Sequence, residues 1–446
     1  MEELFDKKKI LKLIIPVAIE QTLVVVVGIA DMMMVSSSGE SAVSGISLVN
    51  SICILLIMIF TALASGGSII VAQYIGSKDR ERACKATSQV ILVCILISTT
   101  LSFIMLIFSE SLLRLIYGSV DQSVMDSAII YFKISIYSFP FLALYNATTA
   151  MFRVMNNAKI SMKMSFFMNL LNISLNALFI YKFNLGVAGV AYSTLISRCI
   201  ASVMIVNLLR NDNNYVYIDK HFKLGVDKAM IKRILNISIP QALENSMFQV
   251  GKLFTQSLIS SFGTAAIAAN ACATNVELMC NIPIISMGVS LITIVGQCVG
   301  YGDYEQARRN TKKILGYTYM FVIPLNILLF IFAPLIASGY NLSEQGTIYA
   351  IELIRYYNIC CMCISPLSFV LPNALKASGD VKYTLRISVF SMWVFRIGSA
   401  YLITYLFDLN VLGVWIAMTL DWAVRSTSNV IRFRGNAWET KAVTRR

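Results

Sequence analysis

Apolar runs separated by short polar loops divide this chain into twelve segments. They lie near 12–34, 43–75, 86–108, 127–151, 161–182, 186–209, 234–259, 267–299, 314–337, 347–373, 384–406 and 410–431. Each is long enough to cross a hydrocarbon core as a helix, which takes about 20 residues. The second and eighth are longer and hold equivalent places, so they are expected to tilt or to run past the membrane.

The runs form two sets of six. Residues 12–209 and 234–431 read alike, with matched positions 224 apart: Pro16 and Glu20 recur as Pro240 and Glu244, and Gly39 as Gly263. The stretch VAQYIGSKDRERA at 71–83 recurs as VGQCVGYGDYEQA at 295–307. After small gaps Pro140 meets Pro366, Lys159 meets Lys382, and Leu185, Gly189 and Val190 meet Leu409, Gly413 and Val414. Duplicated bundles of this kind build many secondary transporters. The pattern predicts an all-α integral membrane protein with twelve transmembrane helices. An even number of spans per copy gives both lobes the same orientation, so two six-helix lobes related by a pseudo-twofold axis are expected. The expected division is an amino-terminal lobe at 1–209, a linker at 210–233, a carboxy-terminal lobe at 234–431 and a tail at 432–446.

Composition agrees with a lipid environment. The chain is 57% apolar and 14% charged, against roughly 25% charged in soluble domains. The start, MEELFDKKK, is charged, but the run after it is too long for a signal peptide and contains Glu20 and Asp31. The net charge of +13 would suggest nucleic acid until the charges are placed. Basic residues crowd the start, the loops after the second, fourth, eighth and tenth runs, the linker with Lys220 and Lys223, and the tail with Arg445 and Arg446. The opposite loops hold only Arg114 and Lys182. That is the positive-inside pattern. It predicts a multi-pass protein of the cell membrane with both termini cytoplasmic, and no nucleic-acid partner.

Enzyme chemistry has little to stand on. The single histidine, His221, lies in the linker, and neither H-E-x-x-H nor G-x-S-x-G occurs. No phosphate-binding loop is present, since Gly251-Lys252 lacks the rest of that motif. The ten cysteines make no disulfide framework or zinc spacing, and Cys360, Cys361 and Cys363 read as packing residues rather than a soft-metal site. No cofactor or metal is expected beyond a coupling ion. Uphill transport would draw on an ion gradient.

Ionisable groups inside spans are costly and need a partner or a wet cavity. The acids are Glu20, Asp31, Glu244, Glu277, Glu352 and Asp421; the cations are Lys133, Arg198, Lys252, Arg355, Arg396 and Arg425. Glu352 with Arg355, and Asp421 with Arg425, have the spacing of local pairs. Glu20 and Asp31 have no cation nearby in sequence. Three helical turns separate them, about 16 Å on nearly one face. The alternative to function is that each pairs with Arg198 or a backbone group across the bundle. Asn169, Asn172 and Asn176 share a face of the fifth span and offer neutral oxygens to a hard cation, or interhelical hydrogen bonds.

The P-x3-E start of each half, the Gly39/Gly263 turn regions, the A-Q-Y-I-G and G-Q-C-V-G segments and the N-x3-N … G-V-A-G-V-A-Y-S-T run at 172–194 resemble the multidrug and toxic compound extrusion (MATE) transporters. That family belongs with a larger flippase group that includes lipid-linked sugar flippases. The resemblance implies an antiporter that expels organic, cationic or amphiphilic compounds in exchange for sodium ions or protons. It implies a central cavity between the lobes, a monomer in a lipid bilayer and a small-molecule substrate. The family's amino-lobe ion site falls on Asp31, Asn172, Asn176 and Thr194. Asn176 stands where a second acid is expected, which leans the reading towards proton coupling, with sodium at Asp31 as the alternative. Another branch uses carboxyl-lobe acids, for which Glu244 and Glu277 are candidates. Glu20, Glu244 and Glu277 therefore form a possible secondary ion or substrate site. The competing readings are a lipid-linked precursor flippase and a non-transporting receptor or scaffold. All eight prolines lie inside the predicted spans, as kinks or as plain packing. The 21 methionines suit core gap-filling or an adaptable pocket.

Overall fold

The computed structural model describes residues 4–37, 39–118, 120–218, 225–407 and 409–444. The basic linker residues Lys220 and Lys223, His221, and Arg445 and Arg446 of the tail lie outside the described residues. Among the described residues there is no strand, and twelve long helices follow one another: α1 (Lys7–Ser36), α2 (Glu40–Gly76), α3 (Arg80–Tyr117), α4 (Gln122–Val154), α5 (Ala158–Lys182), α6 (Gly186–Leu209), α7 (Lys228–Ser260), α8 (Thr264–Tyr301), α9 (Tyr304–Ile331), α10 (Glu344–Ala377), α11 (Val381–Phe407) and α12 (Asn410–Arg434). Ten are long and apolar enough to cross a membrane. The other two, α7 and α12, are diluted by polar residues such as Gln241, Glu244, Gln249 and Lys252, or Asp421, Arg425 and Asn429.

The helices outrun their apolar cores because polar residues cap them. Asp79 accepts from the Arg82 backbone N–H at 3.0 Å, and its counterpart Asp303 from that of Gln306 at 2.8 Å. Such caps satisfy backbone donors that a helix start leaves open. The ninth run was expected to be one helix over 314–337. Instead α9 begins at Tyr304 behind the Asp303 cap and ends at Ile331, and a short turn, Ala333–Ser338, follows. Pro334 sits at the start of that turn, where its missing N–H costs nothing. Wide π-turns interrupt α5 at Leu178–Lys182, α10 at Pro366–Val370 and α11 at Met392–Gly398. Gly39 and Gly263 both enter the following helix at positive φ, 100° and 90°. A side chain there is strained, which accounts for glycine at both copies.

Leu11–Ala242 form one compact unit. Leu243 onward, joined by the described residues before Leu11, form the other. In the first, the buried faces of α2 and α4 are rich in Ala, Gly and Ser, including Ala62, Gly66, Gly67, Ala143 and Ala147, and small residues let membrane helices approach closely. Phe60 and Phe139 pack across that contact at 5.8 Å. In the second, Tyr357 stands edge-on to Trp415 and Trp422 at 5.6 and 5.8 Å. Leu4 donates its backbone N–H to Gln306 at 2.8 Å, and Phe5 is buried.

Large apolar side chains point outwards on many helices, among them Leu115, Phe103, Ile331 and Tyr405. Water would penalise such a surface, whereas hydrocarbon accepts it. The chain is a multi-pass membrane protein.

Candidate functional site

One cavity of about 260 Å³ lies within the Leu11–Ala242 unit, lined by α1, α2, α4, α5 and α6. Asp31 enters it from α1, Asn50 from α2, Tyr131 from α4, Asn169 and Asn172 from α5, and Thr194, Ser197 and Arg198 from α6. Helical spacing explains the convergence: Asn169, Asn172 and Asn176 share one face of α5, and Thr194, Ser197 and Arg198 one face of α6. The π-turn of α5 begins two residues past Asn176.

The structure brings together the four residues singled out for ion coupling. Asn176, fully buried, donates its amide to Asp31 Oδ1 at 2.8 Å. It also lies 3.3 Å from Asn172 Oδ1. The Asn172 amide nitrogen lies 3.4 Å from Thr194 Oγ1 and 3.5 Å from Ser197 Oγ. Turned over, the same amide donates to both Asp31 oxygens at 3.2 and 3.1 Å. Amide donors thus stabilise an ionised Asp31 without a formal counter-charge. Among the described residues no cation lies within ion-pair distance of Asp31. Arg198 shares the cavity, but its guanidinium donates to Ser138 at 2.7 Å. The same side chains carry amide and hydroxyl oxygens, the donor type that hard cations take.

The possible secondary acids sit elsewhere, each beside a cation. Glu20 accepts from Arg153 at 2.6 Å and from Ser161 at 3.1 Å. Its repeat counterpart Glu244 lies 3.0 Å from Lys376 and accepts from Ser388 at 2.9 Å. In both copies of the repeat a glutamate four residues past a proline meets a basic residue from the end of the fourth or tenth helix and a serine from the next. Glu277 pairs with Lys252 at 3.6 Å. Asp421 and Arg425 lie 3.9 Å apart, as their spacing suggested. No ion pair joins Glu352 to Arg355, whose guanidinium lies over the Phe330 ring at 5.4 Å.

Sequence reasoning missed the Glu20 and Glu244 partners because Arg153 and Lys376 were counted with the loop charges. Their recurrence at the same helix end in both copies is the signal that reveals them. Asn50, Tyr131 and Ser197 were also missed; Ser197 follows Thr194 by three residues, one turn along the same helix. Cys361 is buried, Cys360 half-buried and Cys363 exposed, so the three do not converge.

The MatE family model matches the chain twice, at residues 16–178 and 240–402. The two matches are displaced by the offset of the internal repeat. The chain belongs to the MatE family. Similar relatives include the probable multidrug resistance protein NorM of Thermotoga maritima, 25% identical over 455 residues, covering 99% of this chain and 95% of the relative. The probable multidrug resistance protein YoeA of Bacillus subtilis is 24% identical over 413 residues, covering 91% and 88%. Among solved structures, a MATE crystal structure in the bent conformation superposes with TM-score 0.89 at 22% identity over 96% of this chain and 94% of that one. A MOP superfamily transporter from Pyrococcus furiosus superposes with TM-score 0.90 at 22% identity, over 96% and 95%. The MatE family is one of membrane transporters, so the chain is a transporter and not an enzyme, and the scaffold reading falls away.

Proposed function

We propose that this transporter is an ion-coupled antiporter of the cell membrane that exports organic, cationic or amphiphilic compounds such as drugs by alternating access. Asp31 is the coupling carboxylate. Asn172, Asn176 and Thr194 are its neutral partners. The observation that carries the reading is an intramembrane acid that lines a cavity, has no ion-pair partner among the described residues and is held by amide donors. Every other acid weighed for coupling sits against a cation. The names of the relatives support the export of drugs. A cavity of about 260 Å³ with one carboxylate and one guanidinium suits an ion or small solute better than a lipid-linked sugar. One acid carries one proton, or binds one sodium ion with help from amide oxygens. With Asn176 in place of a second acid, proton coupling is the expected mode.

The test is dye efflux from a pump-deficient host and from proteoliposomes, with proton and sodium gradients imposed separately. Asp31→Asn should reach the membrane folded and lose gradient-driven efflux. A variant that still concentrates substrate outwards like the parent would make Asp31 structural.

A further inference from the structure

The carboxyl-terminal unit carries the counterpart of the Asp31 site with its polarity changed. At the 224 offset, which holds before the gaps and again from Leu185 onward, Asp31 corresponds to Thr255 and Ser197 to Asp421, and Arg396 lies on α11, the counterpart of the helix that carries Asn172. The acid at the position of Asp31 is gone from the first helix of the repeat, where Glu244 alone remains, and the counterpart of α5 carries a guanidinium.

The charges around this site do not balance. Asp421 is fully buried, accepts from Ser391 Oγ, and lies 3.6 Å from Arg396 and 3.9 Å from Arg425. Glu244, 3.8 Å from Arg425, is already engaged by Lys376 and Ser388. Two carboxylates therefore face three cations. The neighbouring Glu277–Lys252 pair adds one of each sign and leaves the excess standing. Arginine does not deprotonate to relieve it.

The hydrogen bonding is equally incomplete. Arg396 and Arg425 are each 5% exposed. In both, Nε and Nη1 find no acceptor among the described residues. Both guanidiniums lie over the Phe248 ring, at 5.0 and 5.9 Å, and Arg425 also lies over Phe369 at 5.4 Å. The aromatic faces offset part of the burial of charge. They leave Nε and Nη1 of both open, with Asp421 Oδ2, itself without a hydrogen bond, 3.6 and 3.9 Å from the two Nη1 atoms, and a fork of N–H groups matches a carboxylate or a compact anion.

We infer that Arg396 and Arg425, above the face of Phe248, form a binding site for a monovalent anion, either a halide ion or the carboxylate of an organic solute. Asp421 is the internal competitor for the same donors. The site thus complements the Asp31 cavity: one repeat presents a carboxylate held by amides, the other guanidinium donors left open.

The full-length protein, purified in a neutral maltoside detergent, tests this by thermal melting. Sodium and pH stay fixed while a bulky sulfonate is replaced stepwise by bromide or by acetate. A saturable rise of the melting midpoint is expected, with bromide pointing to an inorganic ion and acetate to a carboxylate solute. Arg396→Gln should weaken the apparent affinity at least tenfold. Asp421→Asn should strengthen it, because the competing carboxylate is removed. Arg396→Lys keeps the charge and loses the fork, so it should weaken acetate more than bromide; with Asp421→Asn it carries the test if Arg396→Gln does not fold. A midpoint indifferent to the anion, a non-saturating rise shared with sulfate, an unchanged response in Arg396→Gln, or a weakened one in Asp421→Asn overturns the site.

Discussion

At Glu20 and Asp31, two acids three helical turns apart on α1 meet different surroundings. Glu20 is nearly buried and held by the Arg153 guanidinium and the Ser161 hydroxyl. Removing one partner of a buried pair leaves the other charge unmatched, at about 3–5 kcal/mol. Glu20→Gln is therefore expected to lower the melting temperature and the yield of folded protein, while each folded molecule keeps its coupling. Asp31→Asn is expected to do the reverse. A Glu20→Gln protein that melts like the parent but no longer couples would move the coupling role to Glu20. Asn176→Asp tests the missing acid. It would put a second carboxylate 2.8 Å from the position of Asp31 Oδ1, and two like charges that close cannot both ionise without a cation between them. The expected outcome is efflux that gains sodium dependence; efflux indifferent to sodium would count against a shared cation site.

The helical elements were largely legible in the sequence, because an apolar run of membrane length has few other fates. Their ends were not, since ends are set by caps and backbone conformation rather than by hydropathy. Asp79 and Asp303 extend α3 and α9 beyond the apolar runs, and Pro334 breaks the ninth run. At Gly39 and Gly263 a built Cβ would meet nothing within 4 Å, so only the positive φ resists substitution. Gly263→Ala should cost about 1 kcal/mol through the backbone alone, read as a fall in melting temperature without loss of efflux. An unchanged melting temperature would mean the turn relaxes to negative φ. The start of α7 offers a pH test. A hydrogen bond from Lys85, helped by the Met230 backbone N–H, holds the Asp227 carboxyl below its ordinary value. A depressed carboxylate stabilises the fold above the unfolded pKa of about 3.9 and stops doing so as pH falls through the lower folded value. Amide exchange over residues 226–230, relative to the intrinsic rate at each pH, should stay slow from neutral pH to about 4 and quicken below. Asp227→Asn should quicken it already at pH 7; if it does not, the pair with Lys85 does not hold this segment.

For the whole molecule, the candidate site was readable because family resemblance and helical spacing converge on Asp31, Asn172, Asn176 and Thr194, which three different helices supply. Cross-helix partners such as Arg153 and Lys376 were not readable, because nothing in one helix says which face of another it meets; Arg198, weighed as a partner for Glu20 or Asp31, donates to Ser138 instead. The orientation of the chain is a separate question and follows from parity and charge. Each helix that crosses the bilayer reverses the side, so the α1–α2 and α9–α10 connections share a side and the α6–α7 connection lies opposite. The basic residues crowd the latter side, which the positive-inside tendency predicts to be the cytoplasm. Ser37, Asn213 and Ser343 are all exposed in these three connections. In a cysteine-free background, single cysteines at Ser37 and Ser343 should react with an impermeant thiol reagent added to intact cells. One at Asn213 should react only after the membrane is opened. Labelling of position 213 from outside, with 37 and 343 protected, would invert the topology.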